Sequence, residues 1–189
     1  MHFFIVLVLS YLLGSIPFGK IIGYLKGLDI QKEGSGNIGF ANSFRVLGWR
    51  PAIFVLVGDI LKGFIPVYYA LYHFSLNYVL IVGLAVIIGH IAPPWLKFNG
   101  GKGVATMVGV SLALNPSIAL TAIMIWVIVF LFDKTASVSS LAITILMPIL
   151  SIFLEPELFY FYLLLVVIIF FTHRTNITDL LKGKETKII

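Results

Sequence analysis

The chain has 189 residues, of which 60% are hydrophobic and 11% are charged, and its formal net charge is +5 at pH 7. Ordinary soluble domains carry about twice that share of charged residues, so the composition excludes a soluble globular domain and predicts an integral membrane protein. The absence of cysteine excludes disulfides, thiolate metal sites and a cysteine nucleophile. We attribute the positive net charge to membrane topology and not to nucleic-acid binding.

Seven apolar runs follow one another along the chain. We expect the first to be a retained span and not a removed signal peptide, because no basic segment precedes it and no small-residue cleavage pattern follows. The fourth is too short to cross a bilayer alone and is expected to be tilted, broken or re-entrant, which leaves a count of five full spans open. The runs cover residues 3–17, 51–72, 76–95, 104–114, 117–132, 138–154 and 158–172.

These runs predict an all-α integral membrane protein, a bundle of about seven transmembrane helices in which residues 1–189 form a single domain. With the N-terminus outside, the lysine and arginine residues between the runs fall on the inner side or at its boundary. The positive-inside rule therefore predicts a cytoplasmic C-terminus. The polar and glycine-rich loops then meet the cytoplasm, where an active site is expected.

The loop at residues 33–48 is dense in glycine and polar side chains for a connection between membrane spans. Ser35, Asn37 and Asn42 offer hydrogen bonds, and Arg45 offers a planar fork of donors that matches phosphate oxygens. The alternative is an ordinary turn, in which serine and asparagine take their usual turn roles and Arg45 reaches toward lipid headgroups.

Apolar residues at helical spacing surround Arg45. They are Phe40, Phe44 and Leu47, and their spacing predicts a short interfacial helix that carries the arginine.

The stretch FNGGKGVAT at residues 98–106 sets glycines around Lys102. Without Cβ atoms, successive backbone N–H groups can turn toward a bound group beside a fixed positive charge, which suits a phosphate. If Val104 begins a helix, its N-terminus adds further donors and partial positive charge. The alternative is a flexible turn with a lysine that reaches to the interface. The stretch is not a Walker loop, because Lys97 occupies the position of the required glycine and Gly103 that of the magnesium-binding hydroxyl.

Ionisable residues also occur inside two apolar runs. Asp59 and Lys62 are one helical turn apart, and a structural ion pair is favoured over a proton or ion relay because unpaired charge in hydrocarbon costs several kcal/mol. His90 precedes Pro93 and Pro94, which end its helix before the glycine loop. We interpret His90 as a structural hydrogen-bond donor that holds the loop.

His173, Arg174 and Asn176 follow directly after the last apolar run. A neutral imidazole at the membrane face can serve as a general base or as a phosphate ligand. The alternative is a cluster at the aqueous boundary, with Arg174 facing anionic lipid. Carboxylates and histidines do not form a metal-binding set in the sequence, so we predict no metal and no cofactor.

Together these stretches resemble the PlsY family, bacterial membrane acyltransferases that make lysophosphatidic acid from acyl phosphate and glycerol 3-phosphate. The resemblance covers the whole chain. It is carried by GSGNIGFANSFRVLG at 34–48 with GDILKGFIPV at 58–67, by GHIAPPWLKFNGGKGVAT at 89–106 and by HRTNITDLLKGKE at 173–185. The chain departs from the family pattern at Phe40 and Ala41, where Ala-Thr is usual, and at Asp179, where arginine is common.

The resemblance implies that a fatty acyl group moves from a phosphate mixed anhydride to the 1-hydroxyl of glycerol 3-phosphate, and that inorganic phosphate leaves. It also implies a multi-pass protein of the bacterial cytoplasmic (inner) membrane whose partners are these substrates and the bilayer; we expect a monomer. The resemblance further implies two groups of site residues in this chain. The catalytic residues are Ser35, Arg45, Lys102 and His173. The substrate-binding residues are Asn37, Gly100, Gly101, Gly103, Ser139 and Asn176.

We hypothesise that Lys102 and the glycine loop hold the acyl phosphate, while Arg45, Ser35 and Asn37 hold glycerol 3-phosphate. The alcohol proton goes either to His173 or to an oxygen of the donor phosphate. An acyl-enzyme on Ser35 is not expected, since no adjacent base is evident.

Two other function classes fit parts of the sequence. A transporter for a phosphorylated anion suits the broken fourth helix and the intramembrane charges. The chain shows no paired half-repeats, however, and its polar groups lie on one face. A CDP-alcohol enzyme is disfavoured by the lack of an aspartate cluster for magnesium.

Overall fold

The computed structural model describes residues 1–188, and within this range all regular secondary structure is helical. The chain divides into two compact units, Met1–Leu114 and the residues from Asn115 onward. The helices of the first unit are α1 (His2–Gly14), α2 (Phe18–Leu25), α3 (Phe40–Leu47), α4 (Trp49–His73), α5 (Leu76–Ile91) and α6 (Val104–Leu114). Those of the second are α7 (Pro116–Asp133), α8 (Ala136–Leu154), α9 (Phe159–Thr172) and α10 (Arg174–Leu181).

The prediction of an all-α integral membrane protein is confirmed, and each of the seven apolar runs forms a helix. Over residues 1–188, five helical segments are long and apolar enough to cross a membrane, and the number rises to six if the pair of α9 and α10, bent by 64°, counts as one span. Helix α6 has 11 residues and is too short to cross alone, as the sequence indicates. The sidedness of the termini stays a prediction.

Helix α4 is the centre of the first unit and packs against α1, α2, α3, α5 and α6. Its contact with α6 is close because glycine faces backbone on both helices. A methyl group on Gly63 would overlap the carbonyl oxygen of Thr106, and one on Gly109 would overlap that of Ile60. Such small-residue contacts let helix backbones approach closely in a membrane. They fix the start of α6, where the glycine loop ends.

Two hydrogen bonds attach the segment after α5 to the end of α1. The Tyr11 hydroxyl donates to the carbonyl of Ala92 at 2.8 Å, and the Trp95 indole N–H donates to Ser15 Oγ at 2.6 Å. A 3₁₀-helix at Pro94–Leu96 then leads into the glycine loop. The segment that leads into the glycine loop is therefore held against the end of α1.

In the second unit, α8 packs against α7 and α9, and α9 leads into α10. Asn115 and Pro116 form the turn into α7. Asn115 caps α7 by accepting a hydrogen bond from the N–H of Ile118 at 3.1 Å, and Pro116 takes the first helical position, where its missing N–H costs nothing.

Candidate active site

The first polar loop folds around one buried amide, that of Asn42 on α3, whose side chain is 1% exposed. Its Nδ2 donates to the carbonyls of Ile30 at 3.2 Å, Glu33 at 3.0 Å and Asn37 at 2.9 Å. Its Oδ1 accepts from the N–H of Ser35 at 2.8 Å. One side chain thus fixes the loop backbone at four points. From the sequence, Asn42 could be recognised only as one of several hydrogen-bonding groups in the loop.

This arrangement sets the positions of the two predicted substrate contacts in the loop. Gly34 has φ of +58°, in the left-handed region that favours glycine, and a methyl group there would overlap Asn42 Oδ1. The Ser35 side chain that follows is exposed. The Oδ1 of Asn37 accepts from the N–H of Gly39 at 2.8 Å. A phosphate would therefore meet the Asn37 amide through its Nδ2 donor.

Arg45 stands on the short helix that the sequence predicts. Helix α3 begins at Phe40 and ends at Leu47, and Gly48 closes it with φ of +81°. The Phe40 and Phe44 rings lie 6.0 Å apart on one side of the helix. Arg45 is half-buried in the last helical turn, where a cation also interacts favourably with the negative end of the helix dipole.

The glycine loop differs from the expectation in one respect. The N–H of Gly100 donates to the carbonyl of Ile91 at 2.9 Å, and the N–H of Gly101 donates to that of His90 at 3.0 Å. The prediction that these two N–H groups turn toward a bound phosphate is therefore wrong, because both are used to close the end of α5. The two glycines instead let the loop backbone lie directly against that helix end.

Donors for an anion lie further along, at the start of α6. The first hydrogen bond of this helix runs from the N–H of Met107 to the carbonyl of Gly103 at 2.7 Å. The preceding first-turn N–H groups have no acceptor within the helix and carry its positive dipole end. Gly103 has φ of +92°, which other residues rarely adopt. Val104 begins the helix as predicted, and Lys102 is half-buried just before it.

A polar bridge joins the two loops within the first unit. Lys20 Nζ lies 2.6 Å from Asp29 Oδ1 and donates to Gln31 Oε1 at 3.0 Å. Gln31 Nε2 in turn donates to the carbonyl of Asn99 at 3.3 Å. The hydrogen bond from Lys20 holds the pKa of Asp29 below its ordinary value. The bridge ties the loop of Ser35 to the loop of Lys102.

The ion pair predicted from helical spacing is present. Lys62 Nζ lies 2.7 Å from Asp59 Oδ1, and both side chains are buried. His90 is buried as well, with Nδ1 3.5 Å from the same carboxylate oxygen.

In the second unit, His173 lies at the junction of α9 and α10 and is 2% exposed. Its Nδ1 lies 2.9 Å from the carbonyl oxygen of Ile169. Because a carbonyl oxygen only accepts, Nδ1 carries the proton of the neutral ring and Nε2 carries the lone pair. This tautomer suits a general base that acts through Nε2.

Asn176 and the C-terminal tail meet through Glu185. Glu185 Oε1 accepts from Asn176 Nδ2 and from the Ser137 hydroxyl, both at 2.7 Å. The neighbouring Ser139 hydroxyl is fully buried and donates to the carbonyl of Thr135 at 3.2 Å. Glu185 was not predicted from the sequence, because a glutamate in a polar tail carries no local pattern that distinguishes it from a solvated charge.

The predicted site residues therefore fall in both units. The first unit holds Ser35, Asn37, Arg45, Gly100, Gly101, Lys102 and Gly103, and the second holds Ser139, His173 and Asn176.

Comparison with known proteins decides the family. The model of the glycerol-3-phosphate acyltransferase family matches residues 4–183. The chain belongs to this family. A glycerol-3-phosphate acyltransferase of Wolbachia pipientis subsp. Culex pipiens is 44% identical over 191 residues and covers 100% of both chains. One of Aquifex aeolicus is 40% identical, over 94% of this chain and 95% of the relative.

Two solved structures resemble the whole acyltransferase chain. They are crystal structures of PlsY (YgiH), an integral membrane glycerol 3-phosphate acyltransferase, in a glycerol 3-phosphate form and a lysophosphatidic acid form. The first has a TM-score of 0.94 and 36% identity and covers 99% of this chain and 96% of its own. The second has a TM-score of 0.93 at the same identity. The protein is thus a multi-pass membrane enzyme of the acyltransferase class.

The departures from the family pattern lie beside the predicted site residues of this acyltransferase and not at them. Phe40 and Ala41 form the first turn of α3, one turn before Arg45. Asp179 lies on α10, and its carbonyl accepts from the N–H of Lys184 at 2.8 Å. That bond uses backbone atoms only, so the change from arginine leaves it intact.

Proposed function

We propose that the enzyme transfers a fatty acyl group from acyl phosphate to the 1-hydroxyl of glycerol 3-phosphate, giving lysophosphatidic acid and inorganic phosphate. The observation that carries this proposal is the likeness over 99% of the chain to the PlsY structure in its glycerol 3-phosphate form. The second form, with lysophosphatidic acid, supports the product. An acyl phosphate donor is favoured by a chain that offers two separate cationic loops for two phosphates.

The two loops divide the substrates between them in this proposal. Lys102 and the first-turn N–H groups of α6 hold the acyl phosphate. Arg45 holds the phosphate of glycerol 3-phosphate through its guanidinium fork, with Ser35 and Asn37 as further donors. Two anionic phosphates must approach each other for reaction, and these fixed donors offset their repulsion without reorganising.

In the chemical step, the 1-hydroxyl oxygen attacks the carbonyl carbon of the mixed anhydride. The new C–O ester bond forms as the bond from that carbon to the phosphate oxygen breaks, and phosphate leaves with the electron pair. The hydroxyl proton goes to His173 Nε2, which the tautomer supports. Phosphate is a good leaving group, so positioning of the two substrates supplies much of the rate enhancement.

We propose catalytic or binding roles also for His173, Asn176 and Ser139, which belong to the second unit. Glu185 orients the Asn176 amide by accepting its hydrogen bond. Ser139 chiefly fixes the start of α8, since its hydroxyl donates to the carbonyl of Thr135. We propose that residues 1–189 act as one domain and as a monomer. The active site faces the cytoplasm from the bacterial inner membrane, with the N-terminus outside.

A donor test with purified protein in lipid examines this function. Long-chain acyl phosphate is supplied with and without glycerol 3-phosphate, and acyl-CoA is supplied as the alternative donor. Lysophosphatidic acid formed from acyl phosphate only when glycerol 3-phosphate is present supports the proposal. Reaction with acyl-CoA alone would keep the reaction class and overturn the donor, and inactivity of folded protein with both donors would favour a transporter.

A further inference from the structure

We propose that the buried cluster of Asp59, Lys62 and His90 is a positioning device that presses the His90 ring against Gly101 and so fixes Lys102 for the acyl phosphate. The inference rests on the proposed function, because it assigns the cluster to the loop that would hold the donor. All of its residues belong to the first unit.

The carboxylate end of the cluster is firmly held. Asp59 and Lys62 are each 2% exposed, and their charged atoms lie 2.7 Å apart. Lys62 Nζ also donates to the carbonyl of Ile16 at 2.8 Å and lies 5.6 Å from the centroid of the Phe18 ring. These contacts anchor the ammonium group to the break between α1 and α2. The Asp59 carboxylate that faces His90 is therefore held in place through Lys62.

The His90 ring fills the space between this carboxylate and the loop. His90 is 3% exposed, and its Nδ1 faces Asp59 Oδ1 at 3.5 Å, which is a close polar contact but longer than an N–H···O hydrogen bond. On the other side of the ring, a methyl group on Gly101 would overlap Nε2. The ring thus touches the α4 carboxylate with one nitrogen and the loop backbone with the other.

The same histidine holds the loop through its main chain. Its carbonyl accepts from the N–H of Gly101 at 3.0 Å, and a methyl group on Gly100 would overlap that carbonyl. Lys102 is the next residue, and neighbouring Cα atoms are about 3.8 Å apart, so a shift of Gly101 passes directly to Lys102. A displacement of about 1 Å in a positioned group can cost about 100-fold in rate.

Stability alone does not account for the cluster. Replacing a buried ion pair by well-packed apolar residues is often neutral or stabilising, whereas removing one partner is strongly destabilising. The pair therefore contributes orientation more than stability, and it orients a ring whose far nitrogen reaches the loop.

A double-mutant cycle between His90 and Gly101 tests the proposal, with kcat and KM measured for acyl phosphate in lipid. In the wild-type background, Gly101→Ala forces a methyl group into the ring and lowers kcat/KM by about 100-fold. In the His90→Ala background the methyl group has room, and the same change costs about tenfold less. Additive losses would overturn the proposal, because a histidine that does not press on the loop has no coupling to it.

Comparing the KM values for the two substrates distinguishes a positioning role from a general loss of folded enzyme. His90→Ala is expected to raise KM for acyl phosphate by about tenfold or more while KM for glycerol 3-phosphate stays within about twofold. An equal rise in both KM values, or no change in either kcat or KM for acyl phosphate, would contradict a positioning role. His73→Ala is the matched control. Its ring packs on Tyr69 and Phe74 at the C-terminal end of α4, so the change should leave both KM values unchanged.

A second variant tests the proposal in case His90→Ala folds poorly. Asp59→Asn/Lys62→Met removes the pair without leaving a lone buried charge. Hydrogen exchange at the amides of Gly100 and Gly101 should accelerate in this variant, and unchanged exchange would overturn the proposal. Exchange requires no turnover, so a wild-type enzyme inactive with acyl phosphate would refute the proposed function while leaving this test intact.

Discussion

Replacing Asn42 by alanine should open the first polar loop without unfolding the helices. The change removes the two N–H bonds of Nδ2, which three carbonyls share, and the one hydrogen bond accepted by Oδ1. At about 0.5–1.5 kcal/mol net for each of these three hydrogen bonds, the sum is about 1.5–4.5 kcal/mol. Glu33 and Ser35 are exposed, and their backbone groups regain water when the loop opens. The expected loss of loop stability is therefore in the lower part of this range, about 2–3 kcal/mol.

Such a loss shifts the equilibrium between the closed and open loop by about 30- to 150-fold. Hydrogen exchange over residues 30–43 should accelerate accordingly, and KM for glycerol 3-phosphate should rise by at least about tenfold. Thermal unfolding in detergent should change little by comparison, because the helices keep their packing.

The neighbouring residue supplies the control for this experiment. Ser43 is also buried on α3, but its hydroxyl donates only to the carbonyl of Gly39 at 3.0 Å, within the first turn of its own helix. Ser43→Ala should leave loop exchange and KM close to the wild type. If Asn42→Ala exchanges no faster than Ser43→Ala, the amide does not hold the loop and the reasoning is refuted.

Three further predictions concern the second unit and the loop bridge. His173→Gln should lower kcat by about 10² or more, and retention within about tenfold would move the proton to the donor phosphate. Glu185→Ala breaks two hydrogen bonds to a charged group, each worth about 1.5–3 kcal/mol when buried. Because Glu185 is half-buried and solvent weakens such bonds, we expect a loss of about 2–4 kcal/mol, seen as a lower melting temperature that the exposed Glu157→Ala does not share. The pKa of Asp29, followed by NMR, should lie below its ordinary value because of the hydrogen bond from Lys20, and it should rise in Lys20→Met. The stabilisation by this pair is present above the unfolded pKa and is lost as the pH falls through the lower folded pKa. Identical titration in both proteins would contradict the bridge.

Features that depend on local periodicity and composition could be predicted from the sequence. The apolar runs predicted the helices, including the start of α6 at Val104. The spacing of Phe40 and Phe44 predicted α3 around Arg45. The pair of Asp59 and Lys62 followed from one helical turn and the cost of buried charge. Each of these conclusions needs only neighbours within a few residues.

Features that depend on distant parts of the chain could not be predicted. The N–H groups of Gly100 and Gly101 bond to the carbonyls of Ile91 and His90 at the end of α5. These bonds form only because the loop folds back onto that helix end. Asn42 reaches carbonyls up to 12 residues away, and Glu185 meets Ser137 across 48 residues. No local pattern encodes such pairings, because a polar side chain has the same appearance in sequence whether it is solvated or organises a loop.

The most direct test of the account compares phosphate release by wild type, Lys102→Ala and Lys97→Ala in lipid, with long-chain acyl phosphate in the presence and absence of glycerol 3-phosphate. Lys97 is exposed, lies five residues earlier in the same segment and is the matched control. We predict release that depends on glycerol 3-phosphate in wild type and Lys97→Ala, and a rate at least about 100-fold lower in folded Lys102→Ala. Near-normal turnover by Lys102→Ala would contradict the assignment of the glycine loop as the phosphate site.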